Sequence, residues 1–214
     1  MKINLVRIAL ASCLLLLGSQ QGYSQGTFVN LGFESVILPL NPGINSSVPI
    51  SNALPGWTAY LYGIPRDWVL YNSQSLGGSS VSLMDSLTPI PALVPIQGSY
   101  SVYLHAGAGI GQTGQVPNGA ASLVFLLSPA SFFNVPFQGQ NIPIVQLATS
   151  GNNLIMAGNI SSFAGQTGQL LFDGGGLFDA IQFSSQPIPE PSAVSLLALG
   201  ALLSAGRLRR GRTF

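Results

Sequence analysis

The chain has 214 residues, 47% of them hydrophobic, with only seven basic and six acidic side chains. The basic residues gather at the two ends: Lys2 and Arg7 at one, Arg207, Arg209, Arg210 and Arg212 at the other. Between 25 and 188, Arg66 stands alone against Glu34, Asp67, Asp85, Asp173 and Asp179, a balance of −4 that cannot neutralise a run of phosphates and argues against nucleic-acid binding.

Residues 1–24 have the pattern of a secretory signal peptide. Lys2 and Arg7 form its positive start, and Ile8 to Gly18 form an apolar stretch too short to span a membrane comfortably. Gly22-Tyr23-Ser24 suits cleavage. Export therefore implies the Sec translocon and signal peptidase as partners. Cys13 is the single cysteine and falls inside this segment, so the mature chain has no disulfide and no thiol site. Leu10-Ala11-Ser12-Cys13 matches a lipobox, but Leu14 to Leu17 continue the apolar run beyond the cysteine, which favours a chance match.

Residues 25–186 read as one ectodomain, long enough to bury a core. Its polarity comes from Ser, Thr, Asn, Gln and Gly rather than from charge. No apolar segment keeps helical period for three turns. Short alternating or apolar runs appear instead, divided by Gly, Pro and Asn turns. The predicted strands are Thr27–Phe33, Trp57–Tyr62, Trp68–Tyr71, Ser80–Met84, Ser99–His105, Ser122–Leu127, Phe132–Phe137, Ile144–Ala148, Asn153–Ala157, Gly168–Phe172 and Leu177–Phe183. Strands of this length and spacing point to an all-β sandwich or barrel. Gly-Gln-Thr-Gly-Gln occurs twice, beginning at Gly111 and Gly165, and reads as two similar turns leading into strands. Gly174-Gly175-Gly176 reads as a turn between the last two strands.

Residues 187–214 form a three-part tail. Pro189-Glu190-Pro191 is followed by the apolar run Ser192 to Gly206 and then by the arginine cluster Arg207, Arg209, Arg210 and Arg212. As a helix the apolar run would be roughly 22 Å long. That is short for a ~30 Å hydrocarbon core, though snorkelling arginines extend its reach. The arginines belong on the cytoplasmic side, which puts the ectodomain on the far side.

This tail resembles the PEP-CTERM sorting signal. The resemblance implies an exosortase as partner, anchoring at the inner membrane during processing, and delivery to the cell surface or an exopolysaccharide matrix. An ordinary C-terminal anchor would give the same topology. A second resemblance runs through the ectodomain. Asn30-Leu31-Gly32-Phe33-Glu34 resembles the opening motif of jelly-roll carbohydrate-binding modules, and Leu54-Pro55-Gly56-Trp57-Thr58 resembles the Pro-Gly-Trp that follows in them. Gly98 to Leu104, Ile110 to Gly114, Ser161 to Gln166 and Leu177 to Ser184 resemble strands of PEP-CTERM ectodomains. The fold these matches imply is a jelly-roll, galactose-binding-like β-sandwich. The closing motif departs from the family at Asp179-Ala180, where a second carboxylate or amide is usual.

In similar jelly rolls an acid near the first strand and one near the last share a structural calcium, and Glu34 and Asp179 match those positions. Strand parity places Asp179 with Leu177, Ile181 and Phe183 on an apolar face, where a carboxylate needs a cation or strong donors. Calcium takes oxygen ligands. The plainer alternative leaves Asp179 in water at a strand end and Glu34 capping a turn.

For glycans, the aromatic candidates are Trp68, Tyr60, Tyr62 and Tyr71, with Trp57 more at home in the core. Catalysis has little support. His105 is the single histidine, expected at a partly exposed sheet position, and no Gly-x-Ser-x-Gly or His-Glu-x-x-His motif occurs. The expected function is that of a non-catalytic surface or matrix protein sorted by exosortase and associated with exopolysaccharide. A module recognising a specific glycan is the alternative, and a glycan hydrolase comes last.

Overall fold

A computed structural model describes residues 25–73 and 78–188. The signal segment 1–24 lies outside these residues, as does the whole sorting motif from Pro189 to Arg212.

The described chain is all-β with almost no helix. Its strands are β1 (Ser47–Pro49), β2 (Thr58–Leu61), β3 (Ile64–Arg66), β4 (Trp68–Tyr71), β5 (Val81–Met84), β6 (Ser101–Gln115), β7 (Ser122–Leu127), β8 (Phe132–Asn134), β9 (Pro136–Phe137), β10 (Gln140–Asn141), β11 (Ile144–Ser150), β12 (Asn153–Asn159) and β13 (Thr167–Ser184). One four-residue helix, α1 (Ile50–Ala53), and two 3-10 turns at Pro91–Leu93 and Ser161–Phe163 interrupt them.

The strands join one mixed sheet in the order β1-β4-β5-β6-β13-β7-β12-β11. Among the described strands only β4 and β5 pair in parallel. Two long strands, β6 and β13, organise the rest by changing partners along their length. The first part of β6 pairs with β5 and its later part with β2. In the same way β13 pairs first with β9 and β8, then with β7. Both change partner where their mutual register slips, between Gly174 and Gly176 on β13 and between Ala108 and Leu104 on β6. Strands that turn a corner through a bulge let one ladder cover two sides of a core, and the result is sandwich-like.

Phenylalanines fill that core. Phe172 meets Phe125 edge-on at 5.3 Å and stacks on Phe178 at 5.1 Å. Phe178 in turn meets Phe33 edge-on at 5.4 Å. Trp57 packs on Phe33 at 5.7 Å and is buried, so it serves the core as its size suggests. A satellite cluster of Met84, Leu93 and Leu177 lies apart, with Ile90, Ile96 and Tyr103 against it.

Several strand predictions need correction. Thr27–Phe33 is not a strand, because Asn30 and Phe33 take left-handed backbone at φ 52° and 58°. Asn tolerates that conformation; Phe does so rarely, and here its fully buried ring offsets the cost. Gly168–Phe172 and Leu177–Phe183 form one strand, with Gly174-Gly175-Gly176 inside it rather than between two. A Cβ at Gly174 would lie 2.1 Å from the carbonyl oxygen of Phe132, so glycine there permits the close pairing of β8. Of the two Gly-Gln-Thr-Gly-Gln copies, the second does lead into a strand. The first lies at the far end of β6, and the copies face each other through Thr113 with Gln169, Gly114 with Gly168 and Gln115 with Thr167.

Candidate functional site

Glu34 and Asp179 come within electrostatic reach of each other. Glu34 ends the Asn30–Glu34 motif. Its Oε1 accepts hydrogen bonds from the backbone N–H of Ser99 at 2.9 Å and of Tyr100 at 3.2 Å. Gly98 makes that approach possible, since a Cβ there would lie 2.1 Å from the same oxygen. Asp179 is 1% exposed. Its Oδ2 accepts from the Ser101 hydroxyl at 2.6 Å and from the Gln97 N–H at 3.2 Å, and its Oδ1 accepts from the Ala180 N–H at 2.6 Å. Burial pushes its pKa up to about 6; these three donors oppose the rise and the charge of Glu34 adds to it.

Two features hold the pair. Ala180 adopts left-handed backbone at φ 52°, and the β13–β7 register slips between Asp179 and Gln182. Ile181 then donates its N–H to the carbonyl of Leu31 at 3.1 Å, tying the two motifs together. The slip also corrects the expected parity. Leu177 joins the satellite cluster, whereas Phe178, Ile181 and Phe183 enter the main core.

Two carboxylates offer the hard oxygen ligands that calcium takes, although the contacts they already make are four backbone N–H groups and the Ser101 hydroxyl. Asp179 already has three donors, so a cation there would draw its remaining ligands from Glu34 and backbone carbonyls. Among the described residues no group of three or more His, Cys, Asp or Glu side chains gathers for a metal.

A third carboxylate, which sequence reasoning left without a role, lies nearby. Asp85 is buried after β5. Its Oδ2 accepts from the Tyr71 hydroxyl at 2.5 Å, and its Oδ1 from Asn72 Nδ2 at 2.6 Å and the Leu87 N–H at 2.8 Å. Burial first, then the bond and charge of Asp85, drives the Tyr71 phenol far above its ordinary range. Tyr100 is also raised, by burial and then by Asp85 and Glu34. An open cleft of about 440 Å³ is lined by Asp85, Ser86, Val94, Pro95, Ser99 and Tyr100 among others. No local motif marks Asp85. Only the pairing of β4 with β5 brings Tyr71 and Asn72 to it.

The glycan candidates scatter. Trp68 is half-buried and lines an open groove of about 440 Å³ with Ile50, Thr58, Pro65, Arg66 and Asp67. Tyr62 is 75% exposed. It shares the β2–β3 turn with Gly63, both at positive φ, the geometry of a tight two-residue hairpin. Tyr60 is half-buried beside it, its hydroxyl accepting from Gln169 Nε2 at 2.8 Å. Tyr71 is 3% exposed with its hydroxyl on Asp85, so it offers no ring face to a ligand.

His105 sits half-buried at the irregular stretch of β6, and its Nδ1 is buried without a hydrogen-bond partner. It lines a cavity of about 520 Å³ together with Tyr103, Ser128, Ser131 and Phe132. Sequence spacing gave no sign of this cavity, since β8 reaches β6 only by way of β13.

No protein-family model matches this chain, and no curated protein does.

Proposed function

We propose that this chain is an exported, non-catalytic surface or matrix protein. It passes the Sec translocon and signal peptidase, is held at the inner membrane by its C-terminal tail, and is sorted by an exosortase to a polysaccharide-rich exterior. The carrying observation is the charge distribution. Six of seven basic residues lie in the terminal segments, each beside a short apolar run, and the last run follows Pro189-Glu190-Pro191. Mass spectrometry of the mature surface form tests this. We expect a C-terminus that lacks Arg207–Phe214, and an intact terminus on that form would refute processing.

The ectodomain is read as a jelly roll with a structural calcium at Glu34 and Asp179. The partner exchange of β6 and β13 supports the first part. Two carboxylates in electrostatic reach of each other, in a stretch with a single arginine and no lysine, support the second.

A second reading makes the protein a module for a specific glycan. The groove at Trp68 favours it: an aromatic ring, an arginine and a carboxylate border one open depression. Glycan-array binding that disappears on Trp68→Ala would support this reading. An absence of binding would leave a matrix protein without direct recognition.

A further inference from the structure

Three aromatic rings rest on glycines of the β6–β13 pair. A Cβ at Gly111 would lie 3.2 Å from Tyr60 Cε2. At Gly107 it would lie 2.6 Å from Tyr62 Cε1, and at Gly175 3.0 Å from Phe132 Cε1. Gly107 and Gly111 both lie on β6, Gly111 in its regular stretch and Gly107 at positive φ within the register slip between Leu104 and Ala108. Gly175 adjoins them on β13, its Cβ position 3.7 Å from the Ala106 nitrogen. Glycine at these places removes the side chains that would hold each ring away from the sheet. Each ring then lies close to backbone. Tyr62 and Phe132 are 75% and 63% exposed, so they present ring surface to solvent.

The row has a direction. Thr58, opposite Gly111, borders the Trp68 groove. From Gly111 to Gly107 the strand covers roughly 13 Å at ~3.3 Å per residue. Phe132 then forms one wall of the cavity that holds His105. The His105 Nδ1 is buried, so contact with a ligand falls to the rest of the half-buried ring. A ring nitrogen there can donate or accept according to tautomer.

The neighbouring polar groups are mostly neutral. Gln169 reaches Tyr60, and Asn134 is the register partner of Asp173. Charged residues near the row are few: exposed Asp173, and Arg66 with Asp67 at the Trp68 end, where Arg66 is the register partner of Ala59. A carboxylate beside the row repels polyanions, and a single arginine flanked by Asp67 is too little positive charge to hold them. Flat apolar rings with amide donors and acceptors suit the C–H faces and hydroxyls of pyranose sugars.

We propose that Tyr60, Tyr62 and Phe132, ending at the His105 cavity, form a binding track for a neutral polysaccharide chain. This rests on the reading that the protein meets glycan at all, and it moves the site's centre from Trp68 to Phe132. The test is native affinity electrophoresis of the full-length protein in mild detergent. Gels contain hydroxyethyl cellulose, xylan or galactomannan, with alginate as the polyanion. Retardation is expected in at least one neutral gel and not in alginate. Phe132→Ala and Tyr62→Ala should each weaken binding about three- to tenfold, and His105→Ala should weaken it as well. Val145→Ala, exposed on β11, should not. Unchanged urea midpoints would show that the variants fold. Loss confined to Trp68→Ala, with Phe132→Ala and Tyr62→Ala unchanged, would overturn the track and leave glycan binding standing at the Trp68 groove. Equal retardation by alginate would overturn the neutral class. A wild-type protein retarded in no gel would remove the glycan reading and the track together.

Discussion

The buried carboxylate of Asp179 makes stability depend on pH in an unusual direction. Its pKa rises from 3.8 to about 6 on folding, so the folded state holds the proton more tightly than the unfolded chain does. The resulting stabilisation is complete below the unfolded value and is lost as pH climbs through the folded one. A rise of about two pH units corresponds to about 3 kcal/mol. Urea unfolding at a series of pH values, in chelator, measures this. At a slope of roughly 2 kcal/mol/M the midpoint should fall by about 1.5 M between pH 3 and pH 8. Other groups titrate over the same range, so the comparison is with Asp179→Asn, which cannot ionise. Its amide has one acceptor oxygen where the carboxylate has two, so at least one of the donors Ser101, Gln97 and Ala180 loses its partner, which lowers its baseline. Its pH profile should still be flatter by the stated amount. Added calcium should remove the wild-type loss, because an ion between Glu34 and Asp179 replaces the proton. Parallel profiles for wild type and variant in chelator would refute the reasoning.

Three further expectations are simpler. At neutral pH a chelator should lower the melting temperature, and Asp179→Ala should abolish that sensitivity; a melting curve indifferent to chelator ends the calcium proposal. Tyr71→Phe removes the hydroxyl that bonds Asp85 and leaves a buried carboxylate short of a donor, costing about 1–3 kcal/mol in urea unfolding. A cost below about 0.5 kcal/mol would mean that water replaces it. Gly174→Ala places a methyl against the carbonyl of Phe132, so amide exchange across Phe132–Asn134 should accelerate and stability fall by about 1–3 kcal/mol. Unaltered exchange would show that β8 pairs without the glycine.

The all-β character was legible because alternation and turn residues act over a few positions. Trp68–Tyr71 and Ser122–Leu127 match β4 and β7 residue for residue. Glycine was misread for the same local reason. In β6 and β13 it is not a turn signal but the absence of a side chain, needed where Tyr62, Phe132 and the β8 backbone come close. Glu34 and Asp179 were named in advance from motifs, yet no spacing in the chain states that they lie within electrostatic reach of each other.

What the sequence determined alone is the division of labour: two cation-bearing apolar ends around a middle that can hardly form an ion pair, since composition and periodicity are properties of the chain itself. What only the tertiary structure decided is which polar groups are buried and which rings are displayed. Asp85 found Tyr71, Asp179 lost its water, and Phe132 reached His105 because strands distant in sequence paired. Burial and contact are properties of neighbours, and the ladder of hydrogen bonds chooses the neighbours.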